Sequence, residues 1–290
     1  MLKQRIITAI IMIVLLVGAT VAPTPWVLVL ILCLMASTAL WEWIRLSYSS
    51  APLVPTLIAV VFAAYSVYLS QGWIETAAIE QTNKHFFVLI APAVLAYWIV
   101  GAGIMLALGQ TENRQNRLTL SVFGVASIAV AWAALMDMWL YRGAWYLLSL
   151  LIVVWVADIA AYFTGKAFGK RKLAPRISPG KTWVGLGGGV VGVLAWVFIS
   201  AQWQGSFGAE LLHNWSWLGA VIFSIVLALF SVLGDLFESL LKRRAGYKDS
   251  SQLLPGHGGV LDRIDALIPV APLAAFIAGP WLNELITKAV

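Results

Sequence analysis

The amino-acid sequence predicts an all-α, polytopic integral membrane protein, and three observations support this fold class. Hydrophobic residues make up 61% of the 290 residues and charged residues only 11%, whereas a soluble domain carries about 25% charged residues. Apolar runs long enough to cross the hydrocarbon core as helices recur along the chain. The basic residues cluster in alternate segments between these runs. We therefore expect a single membrane-embedded domain over residues 1–290.

The apolar runs, taken in order, predict about nine transmembrane helices. The first begins with basic residues and an apolar core like a signal peptide, but the many later runs favour a retained first helix. Cys33 is the single cysteine and lies inside the second run, so no intramolecular disulfide forms. The predicted spans are 5–22, 26–46, 52–70, 86–108, 118–138, 144–164, 183–201, 215–237 and 266–286.

The basic residues predict the orientation of these spans. With the N-terminus in the cytoplasm, 16 of the 19 lysines and arginines fall in cytoplasmic segments, as the positive-inside rule requires. Only Lys84, Arg142 and Lys288 fall on the other side. The net charge of +6 thus follows from topology and does not indicate nucleic-acid binding. We expect a multi-pass protein of the cell inner (plasma) membrane with an external C-terminus.

The longest charged cytoplasmic segments, 165–182 and 238–263, direct the search for chemistry to residues 158–183 and 231–265. Asp235, Glu238, Ser239 and Lys242 are spaced to share one helical face, which Ser231 extends by one turn. An unpaired carboxylate at the membrane boundary is costly, so a lysine or a metal is the expected partner of Asp235. The alternative is an interfacial charge that reaches the headgroup layer.

The segment that follows, PGHGGVLDRID, combines flexible and charged residues. Glycines let a backbone approach a ligand closely and leave amides free to bind phosphate. Asp262 and Asp265 lie one helical turn apart, and such hard oxygen ligands suit Mg²⁺. His257 can donate to a phosphate oxygen or transfer a proton near neutral pH. Phosphate charge can be neutralised by four basic side chains: Lys242, Arg243, Lys248 and Arg263.

The earlier charged segment repeats this combination. Asp158 lies inside the sixth apolar run, and six lysines and arginines follow between Lys166 and Lys181. In SPGKTW, a turn is expected to present Ser178 and Lys181 just before a helix N-terminus, which is an anion site. The alternative is that these cations serve topology and attract anionic headgroups. The pattern GxxxxGK[ST] is absent, which excludes a P-loop.

Residues 239–265, SLLKRRAGYKDSSQLLPGHGGVLDRID, resemble the signature of the CDP-diacylglycerol synthase (phosphatidate cytidylyltransferase) family. The upstream stretches Asp158-x-x-x-Tyr162 and FGKRKLAPRISPGKTW are also similar to the family. One position departs from it, because Val184 stands where the family usually has Glu. Every fixed position of the signature is present: Ser239, Lys242, Arg243, Lys248, Asp249, His257, Gly258, Gly259, Asp262, Arg263 and Asp265.

The resemblance implies that CTP and phosphatidate react to give CDP-diacylglycerol and pyrophosphate. It implies Mg²⁺ as the cofactor, and a second cation, monovalent or divalent, is compatible with this reaction. Expected partners are CTP, phosphatidate and membrane lipids, with a homodimer left open and no nucleic acid. Asp235 and Asp262 are the expected metal ligands. Substrate-binding residues are Asp158, Ser178, Lys181, Gly258 and Gly259. Catalytic roles fall to Ser239, Lys242, Arg243, Lys248, Asp249, His257, Arg263 and Asp265.

Two other functions fit part of the pattern. A CTP-dependent polyprenol kinase resembles this architecture, but the complete HGGxxDRxD ending favours the synthase. A transporter would place functional charges near the middle of several spans, whereas Glu42, Asp137, Asp158 and Asp235 lie at or near predicted span ends. The DGxxAR…GxxxDxxxD pattern of CDP-alcohol phosphotransferases does not occur.

Overall fold

The computed structural model describes residues 2–48, 53–75, 86–109, 111 and 117–279. Within these ranges the regular structure is helical except for one two-stranded hairpin and an isolated bridge in a loop, so the predicted all-α class is confirmed with that exception. In chain order the elements are α1 (Leu2–Thr20), α2 (Trp26–Ser47), α3 (Leu53–Glu75), α4 (86–107), α5 (Arg117–Arg142), α6 (Ala144–Phe168), β1 (Lys172–Ala174), β2 (Ser178–Thr182), α7 (Trp183–Ser200), α8 (Phe207–Ala245), α9 (Leu261–Ile264) and α10 (Leu267–Ala278).

Among the described residues, six helices are long and apolar enough to cross a membrane: α2, α3, α5, α6, α7 and α8. Large apolar side chains such as Leu57, Val61 and Val191 are exposed on their outer faces, as expected where lipid replaces water. The chain is therefore membrane-embedded. The predicted spans 5–22, 86–108 and 266–286 overlap α1, α4 and α10. The last part of the third lies outside the described residues, and the number nine stays a prediction.

Helix α8 differs most from its predicted span, 215–237. It begins at Phe207 and ends at Ala245, with one non-helical residue, Ser216, at φ 57° and ψ −178°. Its last turns carry the charged face. The apolar run stops where that face begins, although the helical hydrogen bonds continue. Gly246 then adopts φ 78°, and the Tyr247 N–H donates to the Lys242 carbonyl at 2.9 Å, a glycine-terminated helix end.

Helices α6 and α7 pack closely because α7 turns a row of glycines toward α6. A Cβ atom on Gly185 would lie 2.8 Å from the Ala161 carbonyl oxygen, and one on Gly189 would lie 3.1 Å from that of Ala157. Small residues allow such approach between membrane helices. Thr182 caps α7 by accepting the Gly185 N–H at 3.0 Å. This packing holds β2 against the C-terminal end of α6, which the sequence predicts to be cytoplasmic.

Gly185→Ala is expected to destabilise the protein by about 1–3 kcal/mol, because the methyl group has no space against the α6 backbone. Gly187→Ala is the matched control: it lies in the same glycine run, but its Cβ would meet nothing within 4 Å. Alanine there should be neutral or stabilising by up to about 1 kcal/mol from helix propensity. Thermal unfolding in detergent measures both, and equal transitions for the two variants would contradict the packing.

The loops meet at two opposite ends of the bundle. At one end, the Arg45 guanidinium donates to the Ser250 carbonyl, and Arg243 Nε donates to the Ile177 carbonyl at 3.4 Å. At the other end, Arg142 donates to the Ala278 carbonyl at 3.2 Å. Segments that the sequence predicts on the same side of the membrane therefore lie at the same end of the helical bundle. Lys84, Arg114 and Lys288 lie outside the described residues.

An aromatic cluster lies between α2, α4, α5 and α8. Trp43, Trp98, Phe123 and Phe237 are all buried, with ring centroids from 4.9 to 6.4 Å apart. Trp43 Nε1 also donates to the Leu120 carbonyl at 3.0 Å. Edge-to-face contacts of this kind add to the burial of the rings. They hold the end of α2 firmly beside the charged end of α8.

Candidate active site

Two clusters of carboxylates and lysines lie along the charged face of α8. The Asp235 cluster consists of Asp235, Lys181 and Ser239. The Asp262 cluster consists of Asp262, Lys242, Glu238, Ser250 and Gly259. Residues of α8 contribute to both because their spacing puts them on one helical face, as the sequence predicts.

In the Asp235 cluster, a lysine from the hairpin meets a carboxylate of α8. Lys181 Nζ lies 2.6 Å from Asp235 Oδ2, and Ser239 Oγ lies 3.5 Å from Asp235 Oδ1. The lysine was expected in a turn, but it lies in β2, which pairs with β1 in an antiparallel hairpin. Strand pairing and the Thr182 cap hold Lys181 at this position. Asp235 thus has a lysine as its partner, one of the two partners that the sequence predicts.

Two further carboxylates lie near Asp235. Asp158, on α6, is within electrostatic range of Asp235, Lys181 and Arg263. Asp265, between α9 and α10, accepts a hydrogen bond from the Ala266 N–H at 2.8 Å. Its burial, together with the negative charge of Asp235, raises the pKa of Asp265 well above its usual range. A bound cation would relieve this repulsion.

The Asp262 cluster is tighter and more buried. Lys242 Nζ lies 2.5 Å from Glu238 Oε2 and 2.6 Å from Asp262 Oδ1. The other oxygen of Asp262 accepts hydrogen bonds from the Ser250 N–H at 3.0 Å, the Ser250 hydroxyl at 2.9 Å and the Gly259 N–H at 2.7 Å. Burial raises the pKa of Asp262, but hydrogen bonding to Glu238, Lys242 and Gly259 outweighs it and holds the pKa below its usual range.

The glycine-rich loop between Gly246 and α9 is folded on itself. Gly256 and Gly258 have φ of 77° and 84°, in the left-handed region that favours glycine. Leu254 N–H donates to the Gly258 carbonyl at 2.8 Å, and Arg263 Nη2 donates to the His257 carbonyl at 2.7 Å. Arg263 therefore fixes the tip of the loop. His257 Nδ1 is buried and has no hydrogen-bond partner in the described part of the chain.

The glycines at the end of the loop allow close packing around Asp262. A Cβ atom on Gly258 would lie 2.7 Å from Asp262 Oδ2, and one on Gly259 would overlap the Ser250 hydroxyl. The sequence analysis expects free amides for phosphate here. The Gly259 N–H instead donates to Asp262, and the Gly258 N–H donates to the Leu254 carbonyl at 3.1 Å. Both amides are thus engaged within the loop in this structure.

Some expected site residues lie apart from the two clusters. Ser178 begins β2, opposite Ala174. Lys248 and Asp249 are exposed in the loop after α8. Arg243 reaches the hairpin through the Ile177 carbonyl and not through either cluster. These residues border the site: a Cβ atom on Gly258 would lie 2.7 Å from Asp262 Oδ2 and 3.4 Å from Asp249 Cβ.

The structure also shows a residue that was not among the expected site residues. Glu42, on α2, is fully buried and touches the loop that holds Asp262. Ser250 and Ser251 join the two parts of the chain. The sequence does contain a signal for Glu42: it is an acidic residue within an apolar run, and such residues are costly and rare in membrane helices. Its partners, more than two hundred residues later in the sequence, could not be inferred from spacing.

The carboxylate oxygens fit a magnesium ion by their chemistry. Among the described residues, no three acidic, histidine or cysteine side chains form a group that could enclose a metal. Magnesium typically takes one or two protein carboxylates and completes its shell with substrate phosphates and water. Within the described part of the chain, Asp235 Oδ1 accepts the long hydrogen bond from Ser239 and no other. Its remaining lone pair is available to a cation.

The fold and the two clusters define a membrane-embedded protein with a charged site at one end of its helical bundle. The model of the cytidylyltransferase family matches residues 3–279, and the chain belongs to that family. A phosphatidate cytidylyltransferase of Pseudomonas aeruginosa is 38% identical over 97% of this chain and 99% of its own length.

Two further relatives with the same name match the chain over most of its length. That of Haemophilus influenzae is 35% identical over 95% of this chain and 98% of its own length. That of Bacillus subtilis is 31% identical over 95% and 97%. The family predicted from residues 239–265 is therefore confirmed, and so is the prediction that the chain is an enzyme of this family.

Proposed function

We propose that this chain makes CDP-diacylglycerol and pyrophosphate from CTP and phosphatidate in phospholipid biosynthesis. The observation that carries the proposal is the pairing of lysines and carboxylates along α8, Lys181 with Asp235 and Lys242 with Asp262, beside an apolar, lipid-facing bundle. Such a site can receive two polyanions, one of which is a lipid. Near full-length similarity to phosphatidate cytidylyltransferases supports the same reaction.

The chemistry suits a site of cations without a strong base. A phosphate oxygen of phosphatidate attacks the α-phosphorus of CTP, a new P–O bond forms, and the bond to the β-phosphate breaks with its electron pair leaving on pyrophosphate. The attacking oxygen is already an anion near neutral pH. Catalysis then depends on positioning and on neutralising charge. The cations proposed for this role are Lys181, Lys242, Arg243, Lys248 and Arg263.

Asp235 and Asp262 would hold Mg²⁺, with Asp265 as a third ligand or as the partner of Arg263. When bound, the ion would neutralise phosphate oxygens and align the two substrates. A second cation, monovalent or divalent, is compatible with the further carboxylate of Asp158. Because Asp235 and Asp262 each pair with a lysine, protein cations stay next to the bound phosphates.

The remaining polar residues would contact substrate. Ser239 and His257 donate to phosphate oxygens, and Asp249 orients Lys248 or meets the nucleotide. Ser178, Gly258 and Gly259 border the phosphate-binding space. At position 184, the family that this sequence resembles usually has Glu. This chain has an exposed valine there, so no carboxylate role is assigned to Val184.

The site end of the bundle would face the cytoplasm of the inner membrane, since the basic residues concentrate there. In a Cys33→Ala background, Gln252→Cys should react with a membrane-impermeant maleimide in inside-out vesicles and stay unlabelled in right-side-out vesicles. Gln202→Cys, exposed between α7 and α8, should show the opposite pattern. The reverse result for both positions would invert the orientation.

The reaction is tested by incubating the detergent-purified protein with CTP and either phosphatidate or a long-chain prenol, with and without Mg²⁺. The proposal expects CDP-diacylglycerol and pyrophosphate from phosphatidate, only with metal. CDP and a phosphorylated prenol would indicate a kinase instead. Neither product, from protein shown to be folded, would contradict both.

A further inference from the structure

Glu42 is a carboxylate without any solvent exposure, near the end of the predominantly apolar helix α2. A buried acidic side chain persists only when its oxygens are well supplied with donors. It lies one residue before Trp43, which the aromatic cluster holds in place. Its position is therefore set by packing on α2 and not by the loop that it contacts.

Four donors converge on the two oxygens of this side chain. Oε1 accepts from the Ser251 hydroxyl at 2.5 Å and from the Val260 N–H at 3.1 Å. Oε2 accepts from the Ser250 hydroxyl at 3.1 Å and from the Leu261 N–H at 2.5 Å. Two donors come from the start of the loop and two from its end. Glu42 thus joins both ends of the segment 250–261.

The same segment carries the carboxylate of the Asp262 cluster. The Ser250 hydroxyl lies 3.1 Å from Glu42 Oε2 and 2.9 Å from Asp262 Oδ2. A hydroxyl has a single proton to donate, so the two acidic side chains share one donor. Gly259 completes the contact, because a Cβ there would overlap Glu42 Oε1 as well as Ser250. The orientation of Asp262 therefore depends on Glu42.

We infer that Glu42 is a positioning residue for the reaction: it fixes the 250–261 loop on α2 so that Asp262 faces Lys242 and the substrate phosphates. This inference rests on the proposed function for its kinetic consequence, but not for its structural one. Arg45, one turn later on α2, donates to the Ser250 carbonyl and supports the same loop. An anchor of this kind acts through Asp262 and does not touch substrate.

Glu42→Gln tests this role with little change of shape. The amide nitrogen must face one of the two donor pairs. A serine hydroxyl can turn to accept from it, but the backbone N–H of Val260 or Leu261 cannot, so one N–H loses its partner. We expect kcat with CTP and phosphatidate to fall about 10- to 100-fold. KM for both substrates should change little, because the loss lies in orientation and not in binding.

Hydrogen–deuterium exchange of the intact protein gives a readout that needs no turnover. In Glu42→Gln, amides of the 250–261 segment should exchange at least about tenfold faster, while peptides from α5 and α7 exchange as in the wild type. Ser251→Ala removes one donor to Glu42 and also the acceptor of the Leu253 N–H, so it should raise exchange in the same segment while leaving the three other donors to Glu42 in place. Glu75→Gln, the same chemical change at an exposed site on α3, should leave both readouts unchanged.

Wild-type exchange in residues 250–261 of Glu42→Gln would overturn the inference, and so would a kcat within about twofold of wild type. Faster exchange in all helices would also overturn it, since Glu42 would then be a general stabilising residue. If the wild-type protein makes no CDP-diacylglycerol, the proposed function fails. The exchange measurement would still decide whether Glu42 fixes the loop.

Discussion

Asp262→Asn is expected to lower kcat for CDP-diacylglycerol formation by about 10³-fold, the largest effect of any single amide substitution in the site. Donors surround both oxygens of Asp262: Lys242 on one, and Ser250 and Gly259 on the other. Wherever the asparagine NH₂ points, it meets another donor. The change also removes a proposed ligand of Mg²⁺.

Steady-state rates of detergent-purified protein at saturating CTP and phosphatidate measure this effect. Glu75→Gln is the matched control, because it makes the same carboxylate-to-amide change far from the clusters and should keep wild-type kcat. Thermal unfolding of the Asp262 variant shows whether it is folded at the assay temperature. Turnover within tenfold of wild type in a folded variant would rule out Asp262 as a metal ligand.

Lys242→Met is expected to lower both activity and stability. Lys242 contacts two carboxyl groups whose side chains are only 2% and 5% exposed, those of Glu238 and Asp262. Removing one partner of a buried ion pair costs about 3–5 kcal/mol. The thermal transition in detergent should therefore fall by about 10 °C, and turnover should fall with it.

Lys181→Met provides the comparison, because its partner Asp235 is 30% exposed and solvent can screen the charge. That variant should lose activity but little stability, at most about 1 kcal/mol. Adding Glu238→Gln to Lys242→Met removes one of the two unpaired carboxylates, so part of the stability should return without activity. A Lys242→Met protein as stable as wild type would contradict the buried pairing.

The membrane helices were largely predictable because lipid imposes a minimum apolar length on each span. Helices α2, α3, α5, α6 and α7 begin and end within five residues of their predicted spans. Helix α8 was predicted too short, since hydropathy cannot detect helical turns that carry a charged face. The sequence does not predict the strands of the hairpin β1–β2. They are short and rich in basic residues, so they lack the alternation of apolar and polar residues that indicates a strand.

The candidate site was predictable where its geometry is local. The spacing of Asp235, Glu238, Ser239 and Lys242 sufficed to place them on one face, and the structure pairs Lys242 with Glu238 across one turn. The lysine partner of Asp235 and the anchor of the loop come from distant parts of the chain. Contacts such as Lys181 to Asp235, or Glu42 to Leu261, depend on how the helices pack, which local spacing does not encode.

The position of the transferred phosphorus tests the central claim most directly. Purified protein would be supplied with phosphatidate, Mg²⁺ and CTP labelled with ³²P at either the α- or the γ-phosphate, and label would be counted in the lipid extract. A cytidylyltransferase transfers α-label to lipid and leaves γ-label in pyrophosphate. Label from γ-CTP in the lipid, with none from α-CTP, would mean phosphoryl transfer and would contradict the account.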